Sequence, residues 1–327
     1  MNKMRLAIYT QQLEYMGGIE RVVIEHLRIF SQHGVELLLL LDRHPQKMKD
    51  SIGCSYVVLP DENDARRMLL RQTLASWCPN YLILHGESHP TFADDMDVVN
   101  QLGVRSICVA HFPFVTNILL DGTRDTWKEF RKHVSRCSAV ATVAKVDAIF
   151  WRALGVRAFH VQNPFVHPSC SSFPRKNNND DQVNIIWVGR HVEPKQPAAM
   201  LAAFELVEKE CPNVHLYMIG GGENYCRGKV EVISERADLN EFWAKAHIHV
   251  LTSICESFCL VWAEAKSMGI PTVMYELPYL ELADDKNSYI AVPQRDVRAL
   301  ADAIIELVKD PEERFRMGCA AKASIEL

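Results

Sequence analysis

Three consecutive stretches decide the fold: Arg5-Leu6-Ala7-Ile8-Tyr9-Thr10; then Ile19, Val22, Val23, Leu27 and Phe30; then Val35-Glu36-Leu37-Leu38-Leu39-Leu40-Leu41. The first is an apolar run of strand length. The second recurs at three- and four-residue steps with Glu20, Arg21, Glu25 and Arg28 between, the signature of one amphipathic helix. Gly34 stands where such a helix ends, and the third run is too apolar to have a wet face. Strand, helix, strand with both faces buried is the βαβ unit of a parallel sheet.

The alternation continues outward. Strands are expected at Ser55–Leu59, Tyr81–His85, Arg105–His111, Ala139–Val143 and Phe159–Gln162, with helices at Asp64–Trp77, Ala93–Leu102, Thr123–Arg136 and Lys145–Leu154. From Val166 to Gln182 periodicity vanishes into His, Pro, Ser, Lys and the run Asn177-Asn178-Asn179-Asp180-Asp181, which is linker chemistry. A second series follows, with strands at Val183–Val188, Val214–Ile219, Val230–Ile233, Ile248–Leu251, Thr272–Tyr275 and Tyr289–Val292. Its helices fall near Pro197–Glu210, Leu239–Ala246, Leu260–Met268 and Val297–Val308, with a last one from Glu312. The expected organisation is an α/β domain over residues 1–165, a linker over 166–182 and a second α/β domain over 183–327. Both are Rossmann-like doubly wound domains, facing a cleft at the C-terminal ends of their strands, where such sheets bind ligands.

Composition agrees with this and excludes other classes. A chain of 327 residues suits two domains, and 48% apolar residues can fill two cores. Lys plus Arg total 36 against 41 Asp plus Glu, a net charge of −5, so nothing drives the chain to coat nucleic acid. The longest apolar run is far short of a membrane span, and the first residues lack a secretion signal. Ten scattered cysteines read as thiols in a reducing, cytoplasmic setting.

The strongest local signal is Glu256-Ser257-Phe258-Cys259-Leu260-Val261-Trp262-Ala263-Glu264, continuing through Met268-Gly269-Ile270-Pro271. Two carboxylates eight residues apart would lie on nearly the same face of one helix. Backbone N–H groups of Phe258, Cys259 and Leu260 would open that helix, where an anion is favoured. This stretch resembles the E-x7-E motif of family 4 ("group 1") glycosyltransferases, which have the two-domain GT-B fold. Other segments fall in the family's order: Gly17-Gly18-Ile19-Glu20-Arg21, Asn163-Pro164, Gly189-Arg190 with Lys195, Gly220-Gly221-Gly222 and Asp310-Pro311.

The resemblance implies a metal-independent, retaining glycosyltransferase that moves a hexose-type sugar from a UDP- or GDP-sugar, with no cofactor, to a glycan or lipid-linked glycan acceptor. Arg190 and Lys195 would neutralise the departing diphosphate. By resemblance Glu264 would hold the ribose and Glu256 the transferred sugar, beside the Phe258, Cys259 and Leu260 amides. Gly17 and Gly18 would let backbone approach phosphate or acceptor, and His111 would contact the sugar near the reacting centre. The bland readings are a surface ion pair for Arg190, a loop-to-helix turn for the glycines and a structural histidine.

Asp94-Asp95-Met96-Asp97 looks like a metal-binding Asp-x-Asp but falls in a helix. His85 and His89 lack the helix of a zinc protease, and His247, His249, Cys255 and Cys259 are poorly arranged for zinc. The helix 123–136 carries Arg124, Lys128, Arg131, Lys132 and Arg136 with Trp127, Phe130 and Val134. It is either a core-packed stripe with a solvated basic face or a peripheral contact with anionic lipid at the cytosolic face.

Two departures from the family stand out. Ser257 and Cys259 replace glycines of the usual motif, and the chain stops at Leu327 without a segment crossing back to the first domain. The substitutions keep two rivals open: a non-catalytic GT-B subunit that binds sugar nucleotide or a partner enzyme, and a GT-B sugar-nucleotide epimerase.

Overall fold

The computed structural model describes residues 3–13, 17–45, 49–86, 89–111, 113, 126–169, 182–235 and 238–325. The chain divides into two compact units, Met1–Pro164 and Phe165–Leu327.

In the first unit, β1 (Arg5–Thr10), β2 (Glu36–Leu41), β3 (Ser55–Val58), β4 (Tyr81–His85), β5 (Arg105–Ala110), β6 (Ala139–Thr142) and β7 (Ala158–His160) form one sheet. Their order is β3-β2-β1-β4-β5-β6-β7, and every pairing is parallel. The two-residue period of the strands splits the core in two. Ala7, Tyr9, Leu38 and Leu40 point to one face, Leu6, Ile8, Leu39 and Leu41 to the other. The latter face is covered by Val23 and Leu27 of α1 (Gly18–Gln32). The former is covered by α2 (Asn63–Trp77), α3 (Phe92–Gln101), α4 (Thr126–Val134) and α5 (Lys145–Ala153), through Leu70, Met96, Val134 and Trp151. Each such fully buried aliphatic side chain contributes about 1.5–3 kcal/mol of transfer free energy. Gly34, at φ +74°, ends α1 as its position suggests: its N–H bonds Ser31 O, and the Val35 N–H bonds Phe30 O.

In the second unit, β8 (Val183–Val188), β9 (Val214–Ile219), β10 (Tyr225–Arg227), β11 (Val230–Ile233), β12 (Ile248–Leu251), β13 (Thr272–Tyr275) and β14 (Tyr289–Val292) are ordered β10-β11-β9-β8-β12-β13-β14. With the antiparallel strand β10 set aside, the order β11-β9-β8-β12-β13-β14 repeats that of β3-β2-β1-β4-β5-β6 in the first sheet, which adds β7 at its far edge. One face packs on α6 (Pro197–Glu210) and α9 (Val297–Lys309) through Phe204, Leu300 and Ile304. The other packs on α7 (Asn240–Trp243) and α8 (Leu260–Ser267) through Trp243 and Ala265. The chain ends in α10 (Pro311–Ile325). Both units are therefore doubly wound α/β layers.

Several boundaries differ from the sequence reading. Strand β10 escaped it because its three residues are exposed and carry no apolar alternation. Helix α7 is four residues rather than the expected eight, since β12 begins at Ile248 and only Phe242 and Trp243 need anchoring. Of the linker, residues 170–181, including the Asn-Asp run, lie outside the described residues. Residues 165–169 pack in the second unit, where the Ser169 N–H donates to Asn240 Oδ1. In the expected helix 123–136, residues 123–125 and the Trp127 side chain also lie outside them.

Candidate functional site

In the second sheet the strand order reverses between β8 and β12, and the residues beyond those two strand ends meet. After β8 the chain turns through Arg190 into a short 3-10 turn, Glu193–Lys195. That turn is tied to the end of β12. Trp187 Nε1 donates to Thr252 Oγ1 at 2.8 Å, Thr252 Oγ1 donates to Lys195 O at 2.6 Å, and the Ile254 N–H donates to Pro194 O at 3.0 Å. Lys195 Nζ then forms an ion pair with Glu256 Oε1. Burial works against the Lys195 charge, but the Glu256 carboxylate outweighs it and holds the ammonium above the ordinary lysine range. The Glu256 N–H donates to the Tyr279 hydroxyl at 3.1 Å, which fixes the carboxylate's loop from the far side.

Arg190 is exposed, and its guanidinium has no protein partner among the described residues. Glycines close the same end of the sheet. Gly220 has φ +113°, and a Cβ there would stand 2.8 Å from Gly189 O; a Cβ on Gly221 would meet the His191 ring at 2.5 Å. Bare backbone is thus what lets the two loops touch.

The two glutamates do not share a helix face, contrary to the sequence reading. Cys259 has φ +65°, a left-handed conformation that ends helical continuity, so α8 opens at Leu260 and Glu256 lies in the loop before it. Glu264 lies within α8 and is 2% exposed. Phe258 also falls before the helix, with its ring buried 6.5 Å from that of Phe165, so its amide does not open the helix as expected. The Trp262 and Ala263 N–H groups bond Cys259 O, leaving Leu260 and Val261 as the remaining donors of the first turn. Burial, with Glu256 next, pushes the Cys259 thiol far up, so it is neutral.

In the first unit, Gly17 caps α1 with extended backbone, and its O accepts from the Arg21 N–H. Gly18 is the first helical residue. A Cβ on Gly17 would meet Glu20 Oε2 at 2.5 Å, so a carboxylate already stands at this helix N-terminus. His111 follows β5, is 8% exposed, and places Nε2 2.8 Å from His85 Nδ1. His85 was weighed in the sequence only as half of a zinc pair with His89, and His26 not at all. Their 26- and 59-residue separations carry no local signal.

The metal look-alikes have other work. Arg66 grips Asp95 through Nε and Nη2 and also bonds Asp42, while Arg67 pairs with Asp94. His247 Nδ1 accepts from the Asn184 N–H, and His249 Nδ1 sits 3.1 Å from Thr272 Oγ1. No group of three or more His, Cys, Asp or Glu is placed to hold a metal among the described residues. No disulfide joins the described cysteines, and no described helix is long and apolar enough to cross a membrane.

Two doubly wound α/β units, the second with a cation–carboxylate pair and glycine loops at its switch point, are an architecture shared with solved structures. Sucrose-phosphate synthase from Thermosynechococcus elongatus superposes with TM-score 0.77 at 15% identity, covering 99% of this chain and 94% of that one. HepE of Anabaena in complex with UDP-glucose gives 0.79 at 13% identity, covering 98% and 94%. The fold is GT-B. Residues 182–310 match the family model described as glycosyl transferases group 1. Poly(glycerol-phosphate) alpha-glucosyltransferase of Bacillus subtilis is 30% identical over 162 residues, 43% of this chain and 24% of that one. The three curated relatives are matched over only 24%, 15% and 44% of their lengths.

Proposed function

We propose that the chain is a glycosyltransferase that moves a hexose-type sugar from a nucleoside-diphosphate donor to a glycan or lipid-linked glycan acceptor, with retention and without an essential metal. The observation that carries this reading is the arrangement beyond β8 and β12. Lys195 is held charged by Glu256, the Arg190 guanidinium, with no partner among the described residues, is nearby in sequence, and the α8 amides follow. A departing nucleoside diphosphate accumulates negative charge, and fixed donors aimed at it lower the barrier. Glu264, drawn into the fold one turn inside α8, is the candidate for the ribose hydroxyls, and Glu256 for the sugar. The Bacillus subtilis relative's name and the UDP-glucose in HepE support a nucleotide-sugar donor.

Cys259 favours a second reading, a sugar-nucleotide-binding subunit without turnover. It puts a side chain at a positive-φ position between the paired Glu256 and the start of α8. Exposed Lys128, Arg131 and Lys132 on α4 support contact with anionic acceptor lipids, although Val134 and Phe130 of the same helix pack inward, Phe130 against Trp151.

Purified chain incubated with UDP- and GDP-sugars decides between them. Donor-dependent glycosylation of a glycan or lipid-linked glycan that persists in chelator supports the enzyme. Binding without turnover supports the subunit, and an epimerised nucleotide sugar without acceptor supports neither.

A further inference from the structure

The carbonyls of Glu193, Pro194 and Lys195 each accept a hydrogen bond, and two of the donors come from beyond β12. Glu193 O accepts from the Gln196 N–H at 3.1 Å and from Gln196 Nε2 at 2.7 Å. Pro194 O accepts from the Ile254 N–H, and Lys195 O from the Thr252 hydroxyl. The next residue, Gln196, has φ +50°, a left-handed conformation that is costly for any residue with a Cβ. Such a conformation persists where the surroundings fix it. The bond to Lys195 O does so directly, because that oxygen belongs to the peptide that enters Gln196.

The direction of this bond is forced. An indole N–H only donates and a carbonyl only accepts. Trp187 Nε1 therefore fills the accepting side of the Thr252 hydroxyl at 2.8 Å, and the one hydroxyl proton goes to Lys195 O at 2.6 Å. Thr252 is 0% and Trp187 2% exposed, so solvent does not compete for the hydroxyl. The same indole backs the lysine stem. A Cβ on Gly189 would stand 3.3 Å from Trp187 Cη2 and 3.7 Å from Lys195 Cγ, so both lie against bare backbone.

We propose that Thr252 is a positioning residue whose hydroxyl fixes the Lys195–Gln196 peptide and thereby aims the Lys195 ammonium, keeping it paired with Glu256. The consequence for turnover rests on the reading of Lys195 as the cation that faces the diphosphate; the positioning does not.

Three variants separate the hydroxyl from the bulk of the side chain. Thr252→Val puts a methyl in its place, and a carbon stands off a carbonyl oxygen at about 3.3–3.6 Å, so the turn must move out. Thr252→Ala removes the hydroxyl without crowding, and Thr252→Ser keeps it. The test is acylation of the full chain by acetic anhydride at pH 8, with each lysine read by mass spectrometry. The Lys195 side chain is 27% exposed, so reagent reaches it, and only an uncharged amine reacts. Lys266 on α8, 2% exposed, reports general opening of the unit. Lys195 should acylate about threefold faster or more in the Val and Ala forms, with Lys266 unchanged, and at the wild-type rate in the Ser form. Wild-type acylation of Lys195 in both the Val and Ala forms, or equal acceleration at Lys195 and Lys266, would overturn the proposal.

In turnover, Thr252→Val should lower kcat by about tenfold or more, since a misplacement of about 1 Å costs up to roughly 10²-fold. Donor KM should stay within about twofold, and Thr252→Ser should recover kcat. Faster acylation of Lys195 with kcat unchanged, or in a chain that turns over no donor, would instead count against the reading of Lys195 as the diphosphate's cation and leave the positioning standing.

Discussion

The two sheets share the order of six parallel strands but carry opposite chemistry at the point where that order reverses. In the first unit His26 on α1 meets His85 at the end of β4, neutral rings linked to His111. Between β8 and β12 of the second stand Lys195 and Glu256, a charged pair. The first unit places its own fully buried charge elsewhere, in Arg66 with Asp42 and Asp95. Topology thus repeats the switch point, and side chains alone decide whether it carries charge or neutral rings. On the proposed function, the second switch point is the one that takes a diphosphate.

The comparison breaks most readily at Arg66. Arg66→Ala should cost about 3–5 kcal/mol in urea unfolding, because it leaves Asp42 and Asp95 facing each other without a cation. A loss under about 1 kcal/mol would mean that the first unit's charges are not structural. In the second unit, Lys195→Ala and Arg190→Ala should each reduce donor turnover on the order of 10²-fold with little change in melting temperature. A matching loss of stability would make Lys195 a structural partner of Glu256 only.

The neutral histidines give the first unit a pH signature. Their folded values lie below the unfolded value near 6.5, so the unfolded chain binds the extra protons as pH falls. Their stabilising effect is full above about pH 6.5 and is lost as pH falls toward about 4. Urea midpoints from pH 7.5 to 4.5 should decline below 6.5 in the wild type and less steeply in His26→Phe. The smallest effect concerns Cys259. Cys259→Gly should be more stable than Cys259→Ala by about 1 kcal/mol, since only the alanine form keeps a Cβ at positive φ. Equal stabilities would show that the backbone relaxes there.

Much of this was legible in the sequence, unevenly. The apolar runs and helical steps gave the layers of both units, because each buried strand and amphipathic helix is a local pattern. The second unit's site was also local, since Arg190, Lys195, Glu256 and Glu264 fall in two short segments. What misled was conformation within one of them: a single left-handed residue, Cys259, separates Glu256 from the helix that carries Glu264. The histidine chain had no comparable signature. It joins α1, β4 and the end of β5 through strand order, and nothing in the spacing of His26, His85 and His111 announces that order.

Calorimetric titration of the purified chain with UDP and GDP, in parallel with Lys195→Ala and Arg190→Ala, tests the central claim most directly. The account predicts that at least one nucleotide binds the wild type and that both substitutions weaken it by tenfold or more. Equal affinity in all three proteins would place the diphosphate away from the β8–β12 switch point and contradict the account.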